Sequence, residues 1–119
     1  IHKNGGGFPA GLHICGKTKP NWTAMLEADF DIWSLDDVDL GEAKKAVGHR
    51  VVLVGNVVPA NLLKNTAEEI DAEARGICEK MGDMSGFILA SGCEVPINTP
   101  PENIDALINA ARKYGRFDQ

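Results

Sequence analysis

Three residues with metal-type side chains stand at two places on this chain: His13 and Cys15, flanking Ile14, and Cys93 far downstream. Both places close an apolar run that reads as a β-strand. His13 and Cys15 are two apart, and side chains on a strand alternate faces, so the spacing predicts that both point the same way. Cys93 closes the run Gly86-Phe87-Ile88-Leu89-Ala90-Ser91-Gly92-Cys93. If the two strands share a sheet, one nitrogen and two sulfurs converge at its end. One imidazole with two thiolates is a zinc set of the catalytic kind, with a fourth position open for substrate. Taken singly, either cysteine reads as a small buried hydrophobe.

The elements that must position this trio are four strand–helix units in unbroken succession. The first strand is expected over about residues 10–15, with a helix over about 21–30 behind Pro20. A second strand over 32–36 ends in acid and is followed by a helix over 40–47, stopped by Gly48. The third strand, 50–54, is apolar on both faces, as a buried parallel strand should be. A long helix over 66–81 opens on Thr66-Ala67-Glu68-Glu69, a capping-box pattern, and carries Ile70, Ala74, Ile77 and Met81 as its apolar stripe. The fourth strand covers 87–90. A last helix begins after Pro100-Pro101, presents Ile104, Leu107, Ile108 and Ala111 on one face, and ends near Gly115.

This alternation is an α/β architecture with a parallel sheet and right-handed crossovers. Four units make half of a (β/α)8 barrel, which typically needs about 250 residues, or a small open doubly wound sheet. Polar residues follow every strand: His13 and Cys15, then Asp36, then Gly55-Asn56, then Cys93. Both architectures keep their sites at the carboxyl ends of strands. A closed barrel brings the first and fourth strands within reach across its mouth, so the barrel is the better fit.

The 119 residues are 44% apolar with a formal charge of −5, which suits one core and argues against a nucleic-acid surface. No apolar stretch approaches the roughly 20 residues that cross a bilayer, and no membrane partner is expected. Three cysteines without secretory features predict a cytoplasmic chain with thiols free or metal-bound. Ile1 in place of an initiator Met, followed by a glycine-stopped tail, predicts a single partial domain over 1–119 that lacks its amino-terminal half.

Four segments follow one another in a recognisable order: His13-Ile14-Cys15-Gly16; Ser34-Leu35-Asp36; Val54-Gly55-Asn56-Val57; and Ser91-Gly92-Cys93-Glu94-Val95-Pro96 with Thr99-Pro100-Pro101-Glu102-Asn103-Ile104. From Gly11 to Tyr114 the chain resembles the carboxyl-terminal half of the uroporphyrinogen decarboxylase superfamily. Within it, the chain looks most like the zinc-dependent, corrinoid-linked methyltransferases of the methylcobamide:coenzyme M type. The resemblance implies a TIM-type (β/α)8 barrel, Zn2+ on His13, Cys15 and Cys93, and a corrinoid carried by a partner protein. It also implies a small thiol or a methylated small molecule as substrate. The decarboxylase branch is metal-free and carries a histidine in the region of Ser91-Gly92-Cys93, so Cys93 points to the zinc branch.

On this reading a thiol entering the zinc loses its proton and attacks the methyl group of a methyl-cobalt corrinoid; in ether-demethylating relatives the ion polarises the ether oxygen instead. Asp36 either holds the open zinc position or orients a ligand, or else it is a helix-cap or surface acid. Asn56 either bonds the ligand or shapes its loop. Glu94 reads as solvent-facing, Cys78 as core, His2 and His49 as solvated, Trp22 and Trp33 as packing, and Gly5-Gly6-Gly7 as a connector, because it precedes a strand.

Three functions compete: a zinc methyltransferase, a uroporphyrinogen decarboxylase or metal-free relative acting on a tetrapyrrole, and a non-catalytic half-barrel module. Four units alone leave sheet edges and apolar faces uncovered, which predicts an inactive fragment that self-associates as a homo-oligomer.

Overall fold

The computed structural model describes residues 7–83 and 85–115. Strands β1 (Gly11–His13), β2 (Ile32–Ser34), β3 (Val52–Val57) and β4 (Phe87–Ser91) form one parallel sheet in the order β1-β2-β3-β4. A short 3-10 turn (Lys19–Asn21) and α1 (Trp22–Met25) follow β1, and α2 (Leu40–Val47) follows β2. Helices α3 (Pro59–Lys64) and α4 (Ala67–Met81) follow β3, and α5 (Pro101–Tyr114) follows β4. Neighbours in sequence are neighbours in the sheet, the strand order of a (β/α)8 barrel wall. The doubly wound alternative reverses its strand order, and no reversal occurs here.

One face of the sheet is covered by helices. Trp33, Leu53 and Val57 are buried against Leu40, Ala43 and Val47 of α2 and Ile70, Ala74, Ile77 and Met81 of α4. The stripe predicted for α4 is thus its buried face, and the capping box is present on both sides, Thr66 to Glu69 and back. Trp22 and Trp33 pack edge to face at 5.2 Å, as the packing role assigned to them requires. The other face carries Ile32, Val52, Val54 and Ile88, and Ile88 is half-exposed.

Four boundaries depart from expectation for identifiable reasons. β1 stops at His13, because Gly16 takes a positive φ of 85° and turns the chain away. The first helix is cut to Trp22–Met25 by tight turns in which Glu27 N–H donates to Ala24 and Ala28 N–H to Met25. β3 starts later and runs on to Val57, so Gly55 and Asn56 lie within it and not after it; Arg50, expected in the strand, instead donates to the last carbonyls of α2. Helix α3 has no counterpart in the sequence reading, though Pro59 is well suited to its first turn.

The face of α5 is also rotated. Asn103, Leu107 and Ala110 are buried, whereas Ile104 and Ile108 are 41% and 47% exposed. The Asn103 amide donates to the carbonyls of Leu62 and Asn65 at 2.8 and 2.7 Å, which satisfies the open end of α3 and fixes the helix orientation. Among the described residues no helix is long and apolar enough to cross a membrane.

Candidate metal centre

The carboxyl ends of β1 and β4 lie at opposite edges of the sheet, yet their following loops meet. One ligand-type atom each from His13, Cys15 and Cys93 lies within 4.8 Å of the other two, and no fourth His, Cys, Asp or Glu joins the group among the described residues. His13 Nε2 is 3.3 Å from Cys15 Sγ. Cys15 lies beyond the strand, so alternation along β1 does not explain its direction. The Cys15 and Cys93 sulfurs lie in direct contact, with Cα atoms 6.3 Å apart. The sequence reading expects these thiols free or metal-bound, and the two loops bring them together beside His13.

The donor set itself fits zinc. As thiolates, the two sulfurs beside one imidazole nitrogen are the soft N and S donors that Zn2+ takes, with one position left over. The imidazole is oriented from its other side, where His13 Nδ1 lies 2.9 Å from Ser34 Oγ. His13 and Ser34 are register partners on adjacent parallel strands, which sets the two side chains next to each other. The sequence reading gave Ser34 no role; strand register was the missing signal.

Asp36 and Asn56 brace the loops that carry the sulfurs. Asp36 Oδ2 accepts the Gly16 backbone N–H at 2.7 Å, one residue beyond Cys15. Asn56 Nδ2 donates to the Asp36 and Val38 carbonyls at 2.8 and 2.6 Å, tying β3 to the loop after β2. The peptide bond before Asn56 is cis. Asp36 is not the helix cap that one reading allowed: Asp39 caps α2, its Oδ1 accepting the Glu42 N–H.

Cys93 is held by a turn of its own. Ser91 Oγ donates to the Cys93 carbonyl at 2.7 Å, and Gly92 N–H donates to the Val57 carbonyl at 2.8 Å. Gly92 is buried, and its lack of a side chain lets it lie against Asp36. Beside this bracing network an open hollow of about 700 Å³ is walled by residues that include Gly16, Asp36, Asn56, Asn61 and Glu73. The three ligand-type residues are outside its wall. Glu94 and His49 are exposed and Cys78 is buried, as expected; His2, Gly5 and Gly6 lie outside the described residues.

Comparison with known proteins agrees with this architecture. A methyltransferase from Methanosarcina mazei superposes with a TM-score of 0.76 at 34% identity, over 89% of this chain and 31% of that one. The methylcobamide:CoM methyltransferase MtaA of Methanosarcina barkeri is 39% identical over 106 residues, 87% of this chain and 30% of its own length. The uroporphyrinogen decarboxylase of Thioalkalivibrio sulfidiphilus is 38% identical over 92 residues, 76% of this chain and 26% of its own. The chain therefore spans about a third or less of the relatives it matches, and its four βα units are part of a TIM-type barrel. These relatives carry the names of enzymes of two kinds, methyltransferase and decarboxylase. A profile of the uroporphyrinogen decarboxylase (URO-D) family matches residues 1–114, and the chain belongs to that family.

Proposed function

We propose that this chain is the metal-bearing part of a zinc-dependent methyltransferase that moves a methyl group between a corrinoid protein and a thiol or methyl-ether substrate. The observation that carries the reading is the convergence of one ring nitrogen and two sulfurs from loops at opposite edges of the sheet. An arrangement that serves only packing does not require an imidazole and two thiols at one point. The similarity to MtaA, whose name specifies methylcobamide and CoM, supports the same direction.

Zinc bound there would supply activation of a thiol, whose proton it makes acidic at neutral pH, or polarisation of an ether oxygen. His13, Cys15 and Cys93 would hold it. Asp36 would keep the Cys15 loop in place through Gly16, and Asn56 would keep Asp36 in place through its carbonyl. In thiol methylation the corrinoid would supply the methyl group to the acceptor sulfur, the carbon–cobalt electron pair staying with cobalt. The thiol proton goes to solvent. A complete barrel, including units that this segment does not contain, would form the rest of the substrate site, and the corrinoid protein would dock over the mouth.

The decarboxylase reading is kept because relatives of that name match nearly as well, at 38% identity against 39%. Incubating the intact protein with methylcobalamin and a small thiol, and separately with uroporphyrinogen, decides between them. Thiol-dependent loss of the methyl-cobalt absorbance is the expected result. Carboxyl loss from the tetrapyrrole, with methylcobalamin unchanged, would overturn it.

A further inference from the structure

We infer that Ser34 is a positioning residue that supports the His13 tautomer in which Nε2 is free for a metal; the inference rests on the zinc reading above. A neutral imidazole carries one proton, and only its unprotonated nitrogen binds metal. Nε2 is the nitrogen facing the sulfurs, 3.3 Å from Cys15 Sγ, while Nδ1 is 2.9 Å from Ser34 Oγ. The serine oxygen has lone pairs to accept an Nδ1–H. In that arrangement the proton is on Nδ1 and the Nε2 lone pair is free beside Cys15 Sγ; the hydroxyl can also donate to Nδ1, and a metal on Nε2 selects the accepting form.

Nothing in this arrangement depends on chance rotamers of a mobile loop. The pair His13↔Ser34 is the last register step between β1 and β2, so both Cα atoms are held by the ladder. Immediately beyond Ser34, the Leu35 N–H donates to the Val54 carbonyl at 2.9 Å, which anchors the serine from the β3 side. An acceptor on the far nitrogen is the usual partner of a metal-ligating histidine, and its removal typically weakens metal binding by roughly 10–100-fold.

The test compares the unaltered protein with Ser34→Ala and Ser34→Thr, all reduced, by zinc competition against a chromophoric chelator. Nitrogen-15 shifts of the His13 ring are recorded on the zinc-free forms, because they report the tautomer and not the fold. Ser34→Ala is expected to bind zinc about 10-fold or more weakly and to show a mixed His13 tautomer, and Ser34→Thr, which keeps the hydroxyl, to restore both. If Ser34→Ala binds zinc as tightly as the unaltered protein, or the ring stays on one tautomer in both, the inference is overturned while the zinc reading stands. If the unaltered protein takes up no zinc, both are overturned together, and the two failures are told apart by that single control.

Discussion

The Asp36 carboxylate lies against the backbone of Gly92: a methyl group at position 92 would sit 2.8 Å from Asp36 Oδ1 and 3.2 Å from its Cα. The other Asp36 oxygen accepts the Gly16 N–H. One acid is thus placed beside the residue next to Cys15 and the residue next to Cys93, without being among the ligand atoms.

Gly92→Ala should therefore disturb the site through Asp36. Overpacking of this kind costs about 1–3 kcal/mol, and the displaced carboxylate releases Gly16. Thermal unfolding should show the loss of stability and chelator competition a weaker zinc site. Unchanged zinc affinity in a folded Gly92→Ala protein would show that the contact does not govern sulfur spacing.

Asp36→Ala removes the acceptor of the Gly16 N–H, while Asp36→Asn keeps an oxygen there. Zinc affinity is expected to fall by about 10-fold in the alanine variant and less in the asparagine variant. Equal affinities in all three proteins would mean that the Cys15 loop holds its shape without Asp36.

Metal binding requires Cys15 and Cys93 as deprotonated thiols, and their sulfurs lie close enough for oxidation to join them instead. Zinc uptake should be lost on treatment with a thiol oxidant and recovered on reduction. Cys78→Ala should leave this behaviour unchanged, because Cys78 is buried and burial pushes its thiol pKa up, away from the reactive thiolate. Uptake of zinc by the fully oxidised protein, measured by elemental analysis, would contradict the thiolate assignment.

The pH dependence of stability should include a contribution from Asp39. The hydrogen bond from Lys80, then the backbone N–H of Glu42, hold its carboxyl below the usual value. The folded state thus favours the ionised form. Its contribution is present above the unfolded value of about 3.9 and is lost as pH falls through the lower folded one. Near neutrality Asp39→Ala should lower stability by about 1 kcal/mol, mostly through the lost cap, since the half-exposed Lys80 pair is screened by solvent. Urea titrations of both proteins should show this gap near neutrality and convergence well below the carboxylate range. A gap that persists unchanged in acid would contradict it.

Much of the fold was legible because its signals are local. Thr66 and Glu69 announce the start of α4, Gly48 the end of α2, and the buried positions of α4 recur at helical spacing. What the sequence could not show depends on contacts between distant segments. Helix α3 was missed because β3 was ended at Val54, and only pairing with β4 carries it to Val57. Asn103 was not placed in the core because its partners, the carbonyls of Leu62 and Asn65, belong to that unseen helix. At the site, residue type singled out His13, Cys15 and Cys93, but the parts of Ser34, Gly92 and Ser91 follow from register and close approach, which leave no mark on composition.

The most direct test of the account is zinc content by elemental analysis of the reduced protein, with His13→Ala and Cys93→Ala beside it. The account predicts about one zinc per chain in the unaltered protein and its loss in both variants. A reduced, folded protein without zinc would contradict the metal centre and favour a metal-free decarboxylase relative.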